Sequence, residues 1–225
     1  MSNFAVKTSH VTKSFRGETV LKDVSLEVHR GKIYGFVGHN GSGKSVFFKL
    51  LCGILVPDRG AIEIFGKKLG IDLDFPDQIG AVIEQPGFIP EFTGYKNLKY
   101  LASIRNLISQ QQIKEAIRNV GLDPENQKSV KKYSLGMKQR LAIAQAIMED
   151  PELLILDEPM NGLDKNGVQQ IRNLILSLKE KGKTVLLSSH IMEDIQLLCD
   201  EVYEFENQTL IPIQVPEIVR NKIYR

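Results

Sequence analysis

A glycine-rich segment near the start of the chain ends in a lysine and a serine. It is Gly38-His39-Asn40-Gly41-Ser42-Gly43-Lys44-Ser45, and it fits the pattern G-x-x-x-x-G-K-[ST]. Glycines let backbone N–H groups approach phosphate oxygens closely, and they allow positive φ angles. The Lys44 ammonium would neutralise the terminal phosphates, and the Ser45 hydroxyl is the kind of ligand that Mg²⁺ takes. The sequence therefore predicts a triphosphate site here rather than a surface turn of small residues.

Two adjacent carboxylates follow a fully apolar segment. Leu153-Leu154-Ile155-Leu156 is predicted to be a strand covered on both faces, and it continues into Asp157-Glu158-Pro159. The carboxyl ends of parallel strands form the crevice where α/β proteins bind ligands. One carboxylate there can hold Mg²⁺, and the other can polarise an attacking water as a general base. The alternative is an acidic helix start, and the glycine segment earlier in the chain argues against it.

Three single residues are weaker candidates. His190 follows a predicted strand, Thr184–Leu187, and would lie within reach of a terminal phosphate. Gln85 follows another, Ile79–Ile83, and its amide oxygen could ligate Mg²⁺ or hold water. Phe15 could stack on an adenine ring. Each also has an ordinary interpretation, as a structural histidine, a loop glutamine or a core phenylalanine.

A second helix start has the features of an anion site. In the run Tyr133–Arg140, Ser134 is a good N-cap and Gly136 leaves backbone N–H groups exposed in the first turn. One triphosphate is already served by Gly38–Ser45. The second helix start becomes useful where it closes on a phosphate held by another copy of the chain, and otherwise it is simply a helix start.

The periodicity predicts which elements position these residues. Two strands around a turn at Arg16-Gly17 are predicted within Phe4–Val28, and helices dominate from Gly94 to Asp150, with a capping box at Ser109 and Gln112. Further strands are predicted at Ile33–Val37, Ala61–Phe65, Ile79–Ile83, Leu153–Leu156, Thr184–Leu187 and Glu201–Phe205. Further helices are predicted at Ser45–Leu55 (ended by Pro57), Ser134–Met148, Gly167–Lys181 and from Ile191 onward. The tail after Asn207 has no clear pattern. The predicted class is α/β, with a parallel sheet, an N-terminal antiparallel β subdomain and an inserted helical subdomain.

The composition is that of an ordinary folded protein. Its 225 residues carry 29 Lys plus Arg against 27 Asp plus Glu, and the net charge of +2 excludes a polyanion binder of the histone kind. The two cysteines, Cys52 and Cys199, lack CxxC spacing, which excludes a disulfide framework and a cysteine-based zinc site. No apolar run approaches the ~18 residues of a membrane span. We expect a cytosolic protein whose membrane role would come through a partner.

The motifs together resemble those of the ATP-binding cassette ATPases, from about Phe4 to Phe205. Six elements occur in that family's order: Gly38–Ser45, Gln85, Ser134–Gly136, Asp157–Glu158, Asn161–Asp164 and His190. The resemblance implies a P-loop NTPase core that binds ATP and Mg²⁺. For the loop motifs, the resemblance implies that Gly38–Ser45 is Walker A, Ser134–Met137 the signature motif and Asn161–Asp164 the D-loop. For single residues, it implies that Gln85 is the Q-loop glutamine, Asp157 the Walker B metal partner and Glu158 the catalytic base. It also implies that His190 is the switch histidine and Phe15 the adenine-stacking aromatic.

The signature departs from the family's usual Leu-Ser-Gly-Gly-Gln. Tyr133-Ser134-Leu135-Gly136-Met137 keeps the serine and the second glycine, so the glutamine amide is lost and Leu135 adds bulk near the nucleotide. The Ser134 hydroxyl and the helix N-terminus remain, and we expect the site to work. This spelling resembles that of cassettes from bacitracin and lantibiotic exporters.

The resemblance implies a motor subunit. Two copies, or one copy and a homologous cassette, would enclose two ATP molecules head to tail. Each site would take Gly38–Ser45 from one chain and Ser134–Gly136 from the other. Ser45, Asp157 and Gln85 would hold Mg²⁺, while Glu158, His190 and Gln85 would serve catalysis. Hydrolysis would then reopen the pair.

A transporter also needs separate transmembrane permease subunits. They would dock near Pro86–Tyr95, where Phe88, Ile89 and Phe92 are candidates either for contact or for the core of the helical subdomain. The chain would then lie peripherally on the cytoplasmic face of the membrane. We expect one domain over residues 1–225, with a nucleotide-binding core at 1–92 and 151–210, a helical subdomain at 93–150 and a tail at 211–225.

A non-transport cassette ATPase of DNA repair or translation is the main alternative. Repair types carry a long coiled-coil insert, whereas only a short stretch separates Gln85 from Ser134. Translation types carry two cassettes in one chain, and this chain has one. A small-molecule kinase would leave Ser134–Gly136 and His190 without a role. We expect no nucleic-acid partner.

Overall fold

The computed structural model describes residues 3–84 and 87–214, and its main sheet has six strands in the order β10-β9-β3-β8-β7-β6. Its strands are β3 (Ile33–Val37), β6 (Ile79–Val82), β7 (Leu153–Leu156), β8 (Thr184–Ser188), β9 (Glu201–Glu206) and β10 (Thr209–Ile213). All neighbours except β10 and β9 are parallel. The carboxyl ends of β3, β6, β7 and β8 therefore lie at one edge, which carries the segments that begin at Gly38, Ile83, Asp157 and Ser189.

A second, antiparallel sheet is formed mainly by the N-terminal part of the chain, as predicted. Its strand order is β2-β1-β4-β5. The strands are β1 (Phe4–Phe15), β2 (Glu18–His29), β4 (Arg59–Ile64) and β5 (Lys67–Lys68). The turn between β1 and β2 falls at Arg16-Gly17, where both residues have positive φ.

Six α-helices connect and cover the sheets within the described residues. They are α1 (Lys44–Leu51), α2 (Gly94–Arg105), α3 (Gln110–Asn119), α4 (Leu135–Ile147), α5 (Lys165–Glu180) and α6 (Met192–Leu198). Three of them, α2 to α4, follow one another between β6 and β7, where the helical insert was predicted. The capping box of α3 is present, because Ser109 and Gln112 each accept from the other's backbone N–H.

The central strands are buried on both faces, and alternate residues enter two different cores. On β7, Leu153 and Ile155 lie in the core that contains Phe47 of α1 and the antiparallel sheet. Leu154 and Leu156 lie in the other core, which contains residues of α2 to α6. All four β7 residues are at most 1% exposed. This two-sided burial explains why the strand is apolar throughout, and it fixes the strand whose end carries Asp157 and Glu158.

The structure corrects one predicted helix boundary and adds two strands. Helix α1 ends at Leu51 and not at Leu55, because Gly53 takes a left-handed φ of 73° directly after the C-cap residue Cys52. Two strands were not predicted from the sequence: β5, and β10 in the segment after Asn207, for which the sequence shows no clear pattern. Pro212 is tolerated there because β10 is an edge strand, and an edge strand can leave an N–H group out of the ladder.

Across residues 3–84 and 87–214, every helix is too short or too polar to cross a lipid bilayer.

Candidate functional site

The glycine segment forms a tight loop between β3 and α1. Gly38, Gly41 and Gly43 have φ angles of 144°, 82° and 107°, which side-chain-bearing residues rarely adopt. A Cβ atom on Gly38 would lie 2.7 Å from Ser42 Oγ. Gly43 is the N-cap of α1, so the loop delivers the free N–H groups of the helix to its concave side.

Two polar side chains of this loop, those of Lys44 and Ser42, are buried and could contact a bound anion. Lys44 is only 8% exposed, and its Nζ donates to the carbonyl oxygens of Gly38 and His39 at 2.7 and 3.1 Å. Ser42 is equally buried, and its Oγ makes no hydrogen bond within the described part of the chain. A buried polar atom without a partner is costly, so the loop is suited to a polar ligand such as a phosphate. His39 and Asn40 are exposed.

Asp157 lies at the centre of the sheet edge. Its Oδ2 accepts from Ser45 Oγ at 2.6 Å and its Oδ1 accepts from Ser188 Oγ at 2.6 Å. Its backbone N–H donates to Val82 O at 2.7 Å, and the residue is 9% exposed. The end of α1 that carries Ser45, the end of β7 and the end of β8 are thus joined through one carboxylate.

Glu158 points away from Asp157, toward His190. Its Oε2 lies 2.8 Å from His190 Nδ1, and its backbone N–H donates to Ser188 Oγ at 2.9 Å. Glu158 has a φ of 49°, a left-handed conformation that costs about 1–2 kcal/mol for an L-residue. Such strain persists where the surroundings impose it, and here it turns two neighbouring carboxylates to different partners. The sequence picked out both carboxylates and His190 as candidates but not Ser188, whose hydroxyl donates to the Asp157 carboxylate and accepts from the Glu158 backbone N–H.

The predicted N-cap at Ser134 is present, and it borders an open cleft of ≈ 500 Å³. Ser134 Oγ accepts from the Met137 N–H at 3.2 Å. The cleft is lined in part by Ser134, Gly136, Met137, Arg140, Gly162 and Asp164. Among the described residues, the loop Gly38–Ser45 contributes nothing to the lining. The structure therefore separates two helix N-termini that each suit an anion.

Helix α4 is attached to the segment after Glu158 by its first two turns. Gln139 Nε2 donates to the carbonyl oxygens of Glu158 and Pro159, both at 3.3 Å. Leu135 packs closely on Gly162, and a Cβ atom added to Gly162 would lie 2.7 Å from Leu135 Cγ. Leu135 is nevertheless 56% exposed, so the rest of its side chain faces solvent. The bulk that replaces a glycine in the signature is thus accommodated by Gly162.

The remaining candidates differ in what the structure says about them. Gln85 lies outside the described residues. Phe15 is 41% exposed at the end of β1, and the Lys13 ammonium lies 5.3 Å from its ring centroid. Phe88 packs against the larger core as a partly buried residue, and the Ile89 backbone is held by the buried Asn97 side chain. The core interpretation therefore fits Phe88.

Known proteins with similar sequences are ATP-binding proteins of transporters. Residues 21–161 match the ABC transporter family. The chain is 41% identical over 205 residues to the ABC transporter ATP-binding protein YybJ of Bacillus subtilis, a match that covers 91% of this chain and 94% of YybJ. It is 43% identical over 199 residues to the bacitracin transport ATP-binding protein BcrA of Bacillus licheniformis, which covers 88% of this chain and 65% of BcrA.

The fold is also similar to that of a solved protein. An ATP-binding subunit of an ABC transporter superposes with a TM-score of 0.85 at 28% identity, over 95% of this chain and 91% of that one. These relatives favour the transporter interpretation over DNA repair or translation, and ATP is the nucleotide that the family binds and hydrolyses. The chain belongs to the ABC transporter family, as an ATP-binding ATPase subunit.

Proposed function

We propose that two copies of this chain, or one copy and a homologous cassette, enclose two ATP molecules and hydrolyse them to drive transport. The cleft at Ser134 is the observation that carries this proposal. It offers the N-cap of α4 to an anion, yet its own chain's phosphate loop, Gly38–Ser45, does not line it. A second copy that faces it would bring the ATP phosphates to Ser134 and Gly136.

Each side chain at the sheet edge then has a proposed task. The backbone of Gly38–Ser45, which includes His39, Asn40, Gly41, Ser42 and Gly43, surrounds the phosphates, and Lys44 leaves its loop carbonyls to neutralise them. Glu158 takes a proton from the attacking water. His190, 2.8 Å from Glu158, keeps that carboxylate and the water aligned with the terminal phosphate. Phe15 stacks on the adenine ring once Lys13 moves aside.

The donor set beside Ser45 fits Mg²⁺. Ser45 Oγ and Asp157 Oδ2 are oxygen atoms 2.6 Å apart, and Mg²⁺, a small hard cation, prefers oxygen ligands. We propose these two residues and Gln85 as the protein's share of the metal site. When bound, Mg²⁺ would neutralise charge on the phosphates. Asp157 stays oriented by Ser188 whether or not Ser45 turns toward the metal.

The membrane side of the proposal rests on the relatives. BcrA is a bacitracin transport protein by name, and we propose that this chain serves export of a peptide antibiotic through separate permease subunits. The chain would lie on the cytoplasmic face of the membrane, with the permease near residues 86–95. We propose the domain division stated above, with the core extended through β10 to Ile213 because that strand belongs to the main sheet. In this division the helical subdomain, 93–150, passes the movement of Ser134 to that contact.

Ser134→Arg tests the shared site. We expect the arginine to fill the cleft and keep two copies apart, so that ATP turnover falls by roughly two orders of magnitude, the scale of lost positioning at a catalytic site. ATP binding to one chain should remain, because Gly38–Ser45 is untouched. Turnover and ATP-dependent sedimentation measure the two effects.

Ser109→Arg is the matched control for loss of the cap. Ser109 also caps a helix through its side chain, so each substitution should cost about 1 kcal/mol of folding stability. Ser109 is not among the residues that line the cleft, and we expect its variant to hydrolyse ATP normally. If Ser134→Arg and Ser109→Arg behaved alike in turnover and dimerisation, the cleft would have no part in the reaction.

A further inference from the structure

A buried ion pair lies behind the segment that carries His190. Asp194, in the first turn of α6, is fully buried, and Arg172 of α5 donates to its Oδ1 through Nε at 2.7 Å. Arg172 Nη2 also donates to Glu193 Oε2 at 3.1 Å. Burial by itself lowers the pKa of the Arg172 guanidinium, but the hydrogen bonds from it to Asp194 and Glu193 outweigh burial and raise the pKa. The Arg172 guanidinium therefore stays protonated beside the two carboxylates.

The second oxygen of Asp194 serves a different partner. Ser189 Oγ donates to Asp194 Oδ2 at 3.2 Å and accepts from the Ile191 backbone N–H at 3.0 Å. Ser189 is itself only 3% exposed. One buried hydroxyl thus ties together the residue before His190, the residue after it and the ion pair below it.

His190 itself has little else to hold it. Its side chain is 64% exposed, and the bonds in which it takes part run to Glu158: its Nδ1 at 2.8 Å and its backbone N–H at 3.4 Å from Oε2. An exposed side chain on a short connection between β8 and α6 samples several conformations unless the backbone beneath it is fixed. The buried contacts of Ser189 supply that fixation.

We propose that Ser189 and Asp194 are positioning residues for His190, with Arg172 holding Asp194 in place. The proposal rests on the proposed role of His190 in hydrolysis. The hydrogen bonds of the Ser189 side chain join it to Asp194 and Ile191, and none among the described residues joins it to the loop Gly38–Ser45 or to Glu158. We therefore expect its effect on the reaction to pass through His190. Its loss should therefore change the rate of the chemical step and leave ATP affinity alone.

A double-mutant cycle on the full chain tests this. ATP turnover is measured for the parent, Ser189→Ala, His190→Ala and the double variant, each with kcat and KM. We expect Ser189→Ala to lower kcat roughly three- to tenfold, the change that one net hydrogen bond provides, with KM for ATP unchanged. In the His190→Ala background, the same substitution should have no further effect on kcat.

Ser177→Ala is the matched control, since Ser177 is a half-buried serine on α5 that donates to its own helix, at Leu174 O. We expect it to hydrolyse ATP at the parent rate. Asp194→Asn is the second variant. We expect it to reduce kcat because it also loosens His190, and we expect it to have no further effect on kcat in the His190→Ala background. Each melting curve establishes that the variant is folded.

The outcomes distinguish the positioning proposal from the proposed role of His190 in hydrolysis. If Ser189→Ala and Asp194→Asn reduce kcat by the same factor with and without His190, their role is general support of the fold and the positioning proposal is wrong. It is equally wrong if His190→Ala slows turnover while Ser189→Ala does not. If His190→Ala itself leaves turnover unchanged, the proposed function of His190 fails, and the positioning proposal fails with it.

Discussion

Glu158→Gln is expected to reduce ATP turnover by roughly 10²–10⁴-fold, the usual contribution of a general base, while ATP affinity stays near the parent value. Glutamine has the same shape as glutamate but cannot take a proton from water. The uncleaved γ-phosphate would keep the two chains together, because it is the group that both of them contact. We therefore expect an ATP-dependent dimer in sedimentation velocity, and none with ADP.

Glu152→Gln is the control for removal of one carboxylate from the same strand region. Glu152 directly precedes β7, at the opposite edge of the sheet from Glu158, and its carboxylate pairs with Lys183. We expect this variant to hydrolyse ATP at the parent rate and to show no trapped dimer. A Glu158→Gln protein that turns over ATP as fast as the parent would remove Glu158 from the role of base.

Lys44→Ala is expected to weaken ATP binding by about 100-fold. The Lys44 ammonium is buried and lies on the Gly38 and His39 carbonyl oxygens, within the loop that would surround the phosphates. A hydrogen bond from a charged donor contributes about 1.5–3 kcal/mol, and 1.4 kcal/mol corresponds to a factor of ten in Kd. Calorimetric titration of the purified chain with ATP measures the loss directly.

Lys49→Ala separates this effect from a general loss of positive charge. Lys49 lies on the same helix, α1, and its ammonium pairs with Glu84 at 2.6 Å. We expect its variant to bind ATP with the parent affinity. Equal Kd values for the parent and the Lys44→Ala protein would mean that the ammonium makes no contact with the phosphates.

The fold was predictable from the sequence where burial dictates composition. Strands such as Leu153–Leu156 are apolar throughout because both faces are covered, and the connections that follow them carry the polar residues. The parallel arrangement then brings Asp157 and the loop before Ser45 to one edge without further information. Two strands escaped prediction: β5 has only two residues, and β10 is an edge strand with a proline, so neither periodicity nor composition marks them.

The sequence names candidate site residues but does not give their contacts. A motif names Asp157 and Glu158, but the left-handed φ of Glu158 and the shared hydroxyl of Ser188 depend on how β7 and β8 pair. The packing of Leu135 on Gly162 likewise joins residues that are distant in sequence. Such contacts follow from tertiary structure, and they explain how a leucine is accommodated where most cassettes have glycine.

The dependence of turnover on protein concentration tests the shared nucleotide site most directly. If each ATP lies between two chains, dilution should lower the rate per chain toward zero as the dimer dissociates, and sedimentation at the same concentrations should show the two quantities falling together. The account predicts that result at saturating ATP. A rate per chain that stays constant down to concentrations where every particle sediments as a single chain would contradict it.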